Sequence, residues 1–188
     1  MEFDEIDKQI LRILFKNGRE SYSKIKNNVF KPDNEKMSHT GIRKRIRRLK
    51  NKELLKVQGN INVNALNYVG VIILIEVENY ERIVELTDYY SDCPRNFLFL
   101  EISGEYNLAL GFLGRNINDL HQFLNICGPT NKKGILHSAI MYINNVVYPK
   151  FIPLDMFNVE NKEKTCENIC CDCSKFTDDI SVGCGDIN

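Results

Sequence analysis

The tightest constraint on this chain is where its charges fall. Over 188 residues, 25 Lys+Arg balance 25 Asp+Glu, for a formal net charge of zero. The zero conceals two opposed parts. Residues 1–58 hold 16 basic and 8 acidic side chains, a surplus of +8, and residues 59–188 hold 9 and 17, a deficit of −8. A chain divided in this way reads as two domains with different partners. The basic head is a candidate for binding a polyanion. The expected divisions are a head over 1–60, an acidic body over 61–155 and a tail over 156–188.

Several classes are excluded at once. Hydrophobic content of 43% with 27% charged residues suits a globular chain, not collagen, wholesale disorder or a disulfide miniprotein. The longest near-apolar run, Tyr68 to Ile75, is far short of the roughly 20 residues that cross a bilayer. Met1-Glu2-Phe3-Asp4-Glu5 opens acidic, unlike a secretory signal. A cytoplasmic protein with no membrane partner is expected.

In the head, Ile6, Ile10, Ile13 and Leu14 recur at helical spacing and predict a helix over 4–17. Asp4, Glu5 and Asp7 complement its positive N-terminus, and Gly18 is a candidate C-terminal cap. A shorter helix follows Ser21, with Tyr22, Ile25 and Val29 inward. Phe30 to Met37 reads as a turn. Ser38 is a good N-cap for a third helix. On its wheel Ile42, Ile46 and Leu49 form a narrow apolar stripe. Thr40, Lys44, Arg47 and Arg48 lie opposite, with Arg43 and Arg45 on the flanks. No acid occurs between Arg43 and Lys52. Leu54 to Val57 reads as a short strand and Gly59-Asn60 as a turn. Three short helices with a basic third one match a helix-turn-helix. Ser38, His39 and Thr40 stand where base edges or phosphates are approached, and Arg43, Lys44, Arg47 and Arg48 can reach guanine edges or the backbone. A solvated charged helix is the plainer alternative, but most such helices carry both signs.

At these residues the chain resembles the Lrp/AsnC (feast/famine) transcription regulators. The likeness runs through Phe3 to Leu11, Gly18 to Ile25, and most specifically Met37-Ser38-His39-Thr40-Gly41-Ile42-Arg43-Lys44-Arg45-Ile46-Arg47-Arg48-Leu49. It covers roughly residues 3 to 150. Two departures stand out. The turn before Ser38 is several residues longer than the family's, which tilts the helix or adds a phosphate contact through Lys31 or Lys36. Glu53 stands where the family usually has glycine.

The body predicts β-α-β-β-α-β. Tyr68 to Glu78 is a β-branched strand, 81–92 a helix, and Asn96–Ser103 and Asn107–Leu113 a hairpin across Gly104-Glu105-Tyr106. A helix over 119–127 and a strand over 135–144 complete it. This is the ferredoxin-like, α+β pattern. It leaves one sheet face without a helix, which a second copy would cover. A homodimer is therefore expected, and the resemblance implies the same, with octamers frequent. The resemblance also implies a small-molecule effector, commonly an amino acid, near a Gly-x-Tyr/Phe-Asp turn. Here that turn is Gly104-Glu105-Tyr106-Asn107, for which a simple hairpin turn is the preferred reading, since Gly and Asn commonly serve turns. Asn107 offers no carboxylate to an ammonium group.

The tail departs from the family. Five cysteines, Cys166, Cys170, Cys171, Cys173 and Cys184, crowd the end of the chain. In a reduced compartment such a cluster suggests metal chemistry, with zinc or an iron–sulfur centre on Cys166, Cys170, Cys173 and Cys184. A thiol redox switch and a tail without function are the alternatives.

The leading expectation is a transcription regulator that binds double-stranded DNA, modulated by an effector or by the tail, and not an enzyme. Siroheme decarboxylases resemble the same two domains. They carry a His-x-Tyr-x-Arg-like segment, where this chain has Cys93-Pro94-Arg95-Asn96-Phe97-Leu98-Phe99. His121 and His137 lack an obvious acid–base partner in sequence. A metal- or redox-binding protein without DNA contact is the third class.

Overall fold

The computed structural model describes residues 3–91 and 93–154. The cysteine-rich tail lies outside the described residues, as does Asp92. The chain divides after Gly59 into two compact units.

The first unit holds α1 (Glu5–Lys16), α2 (Tyr22–Asn27) and α3 (His39–Asn51). Each start is fixed by a short polar side chain that satisfies an orphan amide: Asp4 accepts from the Asp7 N–H, Ser21 from Lys24, Ser38 from Gly41. The three apolar stripes converge. Ile10, Leu14, Ile25, Val29, Met37, Ile42 and Ile46 form one core, each fully buried aliphatic contributing about 1.5–3 kcal/mol of transfer free energy.

Four expectations need correction here. Tyr22 is not inward but about one-third exposed, beside His39. Gly18 does not cap α1, which ends one residue earlier, where the Asn17 N–H bonds to the Ile13 carbonyl. Leu54 to Val57 forms no strand: among the described residues of this unit it has no neighbour to pair with, and an unpaired strand leaves its backbone to water. Gly59-Asn60 is irregular chain and not a turn. Glu53, where the resemblance leads one to find glycine, adopts φ 55°. Its N–H bonds to the Lys50 carbonyl and the Leu54 N–H to the Leu49 carbonyl, so α3 ends in a Schellman motif with glutamate in the left-handed position.

The second unit is β1 (Val69–Val77), α4 (Tyr80–Tyr90), β2 (Asn96–Glu101), β3 (Leu108–Gly114), α5 (Ile117–Ile126) and β4 (Ile135–Ile143). One antiparallel sheet has the order β2-β3-β1-β4, the ferredoxin-like arrangement. Alternation decides which side is core. Val71, Ile73, Ile75 and Val77 are buried with Leu110 and Phe112 under Ile83, Leu86 and Tyr90 of α4 and Leu120, Phe123 and Leu124 of α5. The intervening residues face away. Leu98, Gly111, Ile72 and Met141 run across that face in register, as do Leu100, Ala109, Leu74 and Ala139. Leu100 and Met141 are each 46% exposed on it.

Candidate nucleic-acid interface

Helix α3 is held from below and left clear above. Gly41 permits its start: a Cβ there would lie 2.8 Å from Met37 Cε and 3.0 Å from Ser38 Oγ. Ile42, Ile46 and Leu49 are buried, which turns the opposite face outward.

Two arginines leave that outward set. Arg45 donates to Asp4 at 2.5 Å and to Asp7 at 3.0 Å. Arg48 donates to the other Asp7 oxygen. Asp7 is 2% exposed, so two guanidiniums converge on a carboxylate in the unit's interior. At Asp4, partial burial would raise the carboxyl pKa, but the Arg45 hydrogen bond, the Asp7 amide and the nearby arginine charges outweigh it and hold the group below its usual value. Asp4 at the cap of α1 and Asp7 within it thus face Arg45 and Arg48 on α3 at matching three-residue spacing. That spacing was the available sequence signal for the clasp, in which the acids pair with arginines as well as with the helix dipole.

Arg43, Lys44 and Arg47 remain. All three are exposed, and no carboxylate among the described residues lies within ion-pairing distance of them. With Thr40 they form one wall, since residues three and four apart stack on a helix surface. Ser38, His39 and Thr40 are exposed at the start of the same helix. The Ser38 hydroxyl is spent on capping. His39 meets the Tyr22 ring edge-on at 5.5 Å. Of the seven residues singled out for DNA contact, five therefore present unpaired or lightly committed groups, while Ser38 caps α3 and Arg48 is tied to Asp7.

The turn at Gly104 is differently built. Gly104 has φ 152°. The Asn107 carboxamide accepts from the Val77 N–H and donates to the Val77 carbonyl, both at 2.9 Å. It thereby closes the end of β1 where the ladder to β4 shifts register. A carboxylate in this place could not donate to that carbonyl, so asparagine is the side chain the geometry requires.

A buried pair was not anticipated. Arg95 donates to both Asp119 oxygens at 2.7 Å and to the Leu113 carbonyl at 3.3 Å. The pair joins the start of β2 to the first turn of α5, where the Arg115 N–H also reaches Asp119. Burial pushes the Asp119 carboxyl up, but the Arg95 hydrogen bonds and charge outweigh it, with the Arg115 amide helping, and the net direction is down. No group of three or more His, Cys, Asp or Glu among the described residues is placed to hold a metal. No described helix is long and apolar enough to cross a membrane.

No sequence-family model and no curated protein matches the chain. Solved structures do. E. coli AsnC aligns at 17% identity over 77% of this chain and 94% of its own, with a TM-score of 0.63. An AsnC family transcriptional regulator from Agrobacterium tumefaciens aligns at 19% identity over 77% and 92%, at 0.62. A transcriptional regulator from Neisseria meningitidis, solved as a complex with L-Met, aligns at 13% over 78% and 92%, at 0.64. The likeness at this level of identity is one of fold: a helix-turn-helix unit followed by a ferredoxin-like unit.

Proposed function

We propose that this chain is a DNA-binding transcription regulator of the Lrp/AsnC type, acting by binding and not by catalysis. The observation that carries the reading is the wall of Arg43, Lys44 and Arg47 on α3, with no acid opposing it, on a helix whose other two arginines are taken by Asp4 and Asp7. A charged helix that merely faces solvent gains nothing from such sorting. A helix that must lie on phosphate and base edges needs fixed geometry below and free donors above. The shared fold with AsnC supports the same reading.

The uncovered sheet face favours a homodimer. Ile72 and Leu74 alternate with the core residues of β1, so both faces of that strand are apolar, the pattern of a strand covered on both sides. Two copies would present two α3 helices to half-sites one or more helical turns apart, and octamers would be built from such dimers. We place effector contact at the 104–107 turn through Gly104 and Tyr106. The neighbour from Neisseria was solved with L-Met, but here the Asn107 amide is committed to Val77, so an amino-acid ammonium group would need another partner. Cys166, Cys170, Cys173 and Cys184 are proposed to bind one metal centre, zinc before iron–sulfur, because soft thiolates crowd the last part of the chain. Metal content of the full chain against a chain ending at Phe157 tests this: equal content in both rejects the ligand set.

The regulator reading is tested by selection from a random duplex pool with the full-length protein. Enrichment of a two-fold related repeat is expected. Recovery of unenriched sequence, with binding that vanishes at moderate salt, would leave only a nonspecific polycation.

A further inference from the structure

The stretch between α2 and α3 is not a slack loop but a closed β-finger. The Met37 N–H bonds to the Val29 carbonyl at 3.1 Å and the Lys31 N–H to the Glu35 carbonyl at 2.8 Å. Phe30 and Lys36 thus form a non-hydrogen-bonded antiparallel pair, with their side chains on one face and their N–H and C=O groups pointing outward. The tip is Pro32-Asp33-Asn34, closed by an Asn34 N–H to Lys31 carbonyl bond of 3.0 Å, with Asn34 at φ 62°. This is a three-residue hairpin loop with a left-handed third residue.

The two edges of the finger are treated oppositely. On the Phe30 edge, the Gln9 side chain of α1 donates to the Phe30 carbonyl at 3.1 Å and accepts its N–H at 2.9 Å, as a third strand would. On the Lys36 edge, no acceptor among the described residues takes the outward Lys36 N–H. The two faces differ as well. Lys31 and Glu35 pair at 2.6 Å on one, while Lys36 stands exposed and without an ion pair across from Phe30 on the other. Asp33 turns a carboxylate oxygen back on the Glu35 N–H at 3.1 Å. The finger therefore cancels or occupies its charges except one cation, Lys36, two residues from the Ser38 cap of α3.

We infer that the Phe30–Lys36 finger is a second DNA contact, in which Lys36 grips a phosphate of the duplex that α3 occupies, through its ammonium group and its open backbone N–H. The inference rests on the DNA-binding reading above. A phosphate contact is sequence-independent and adds about one to the salt slope of binding. Gln9 and the hairpin ladder hold the finger in place before DNA arrives, so little ordering is left for the complex to supply. Of the two lysines in the finger, Lys31 is excluded by its partner Glu35.

The test uses full-length protein and salt titrations on an enriched duplex and an unrelated one. Lys36→Gln should weaken binding to both by the same factor and lower the salt slope by about one. Lys36→Arg should restore both. The neutral double variant Lys31→Gln/Glu35→Gln should leave the slope unchanged. If Lys36→Gln alters neither affinity nor slope while Arg43→Ala/Arg47→Ala does, the finger proposal falls and the regulator reading stands. If wild-type protein binds no duplex, both fall.

Discussion

Arg45 on α3 donates at 3.0 Å to Asp7 on α1, a carboxylate only 2% exposed. The bond crosses 38 residues of chain and, with Arg48 on the second oxygen, sets the roll of α3 about its axis. Removing the acid should be costly in a definite way. Asp7→Ala should lower the stability of the first unit by about 1–3 kcal/mol, since two partly exposed arginines recover some hydration when released. Chemical denaturation followed by the helical signal checks this.

The Arg95–Asp119 pair predicts a larger loss. Both side chains are almost wholly buried, so Asp119→Ala leaves a cation without its counter-charge and should cost about 3–5 kcal/mol. The pH dependence follows in sign. A carboxyl held below its unfolded value contributes stability that is present above that value and lost as pH falls through the folded one. The second unit should therefore lose stability as pH drops below about 4. Asp119→Asn should be less stable at neutral pH and should show a shallower acid slope over that window.

Glu53 predicts a gain. A left-handed conformation costs a non-glycine residue about 1–2 kcal/mol, partly offset because glycine is the more flexible residue when unfolded. At φ 55°, Glu53→Gly should stabilise the first unit by roughly 0.5–1 kcal/mol. An unchanged or lower melting temperature would mean that the glutamate side chain contributes a compensating contact.

The open sheet face predicts assembly. Ile72→Lys places a charge at the centre of the row Leu98–Gly111–Ile72–Met141, where it has no role in the helix-covered core. Sedimentation should show dimers or larger for the wild type and monomers for the variant, with both melting cooperatively. A monomeric wild type at micromolar concentration would remove the dimer from the account.

What could be read in advance follows physical range. The helices and strands were legible because their signals are local: Ile42, Ile46 and Leu49 repeat at helical spacing, Ser21 and Ser38 supply caps, and the β-branched run from Val69 to Val77 needs no distant partner to be recognised. The Leu54–Val57 strand failed because strand formation depends on a neighbour, which four residues of pattern do not reveal. The finger showed only as turn composition, since its ladder joins Val29 to Met37 and its brace comes from Gln9, 21 residues away. Arg95 and Asp119 are 24 residues apart, in the turn before β2 and in the first turn of α5, so no spacing pointed from one to the other. In the candidate interface the cationic residues were legible as a set, but their division was not. Arg48 belongs with Arg45 as a strut because Asp7 happens to lie beneath it.

We propose above that Arg43 and Arg47 on α3 contact duplex DNA. The most direct test is the affinity of Arg43→Ala/Arg47→Ala for an enriched duplex across a salt series. A loss of about 1–3 kcal/mol is expected for each base or strong phosphate contact removed, with a reduced salt slope and unchanged thermal stability. Unchanged affinity and an unchanged slope, in a variant that melts as the wild type does, would contradict it.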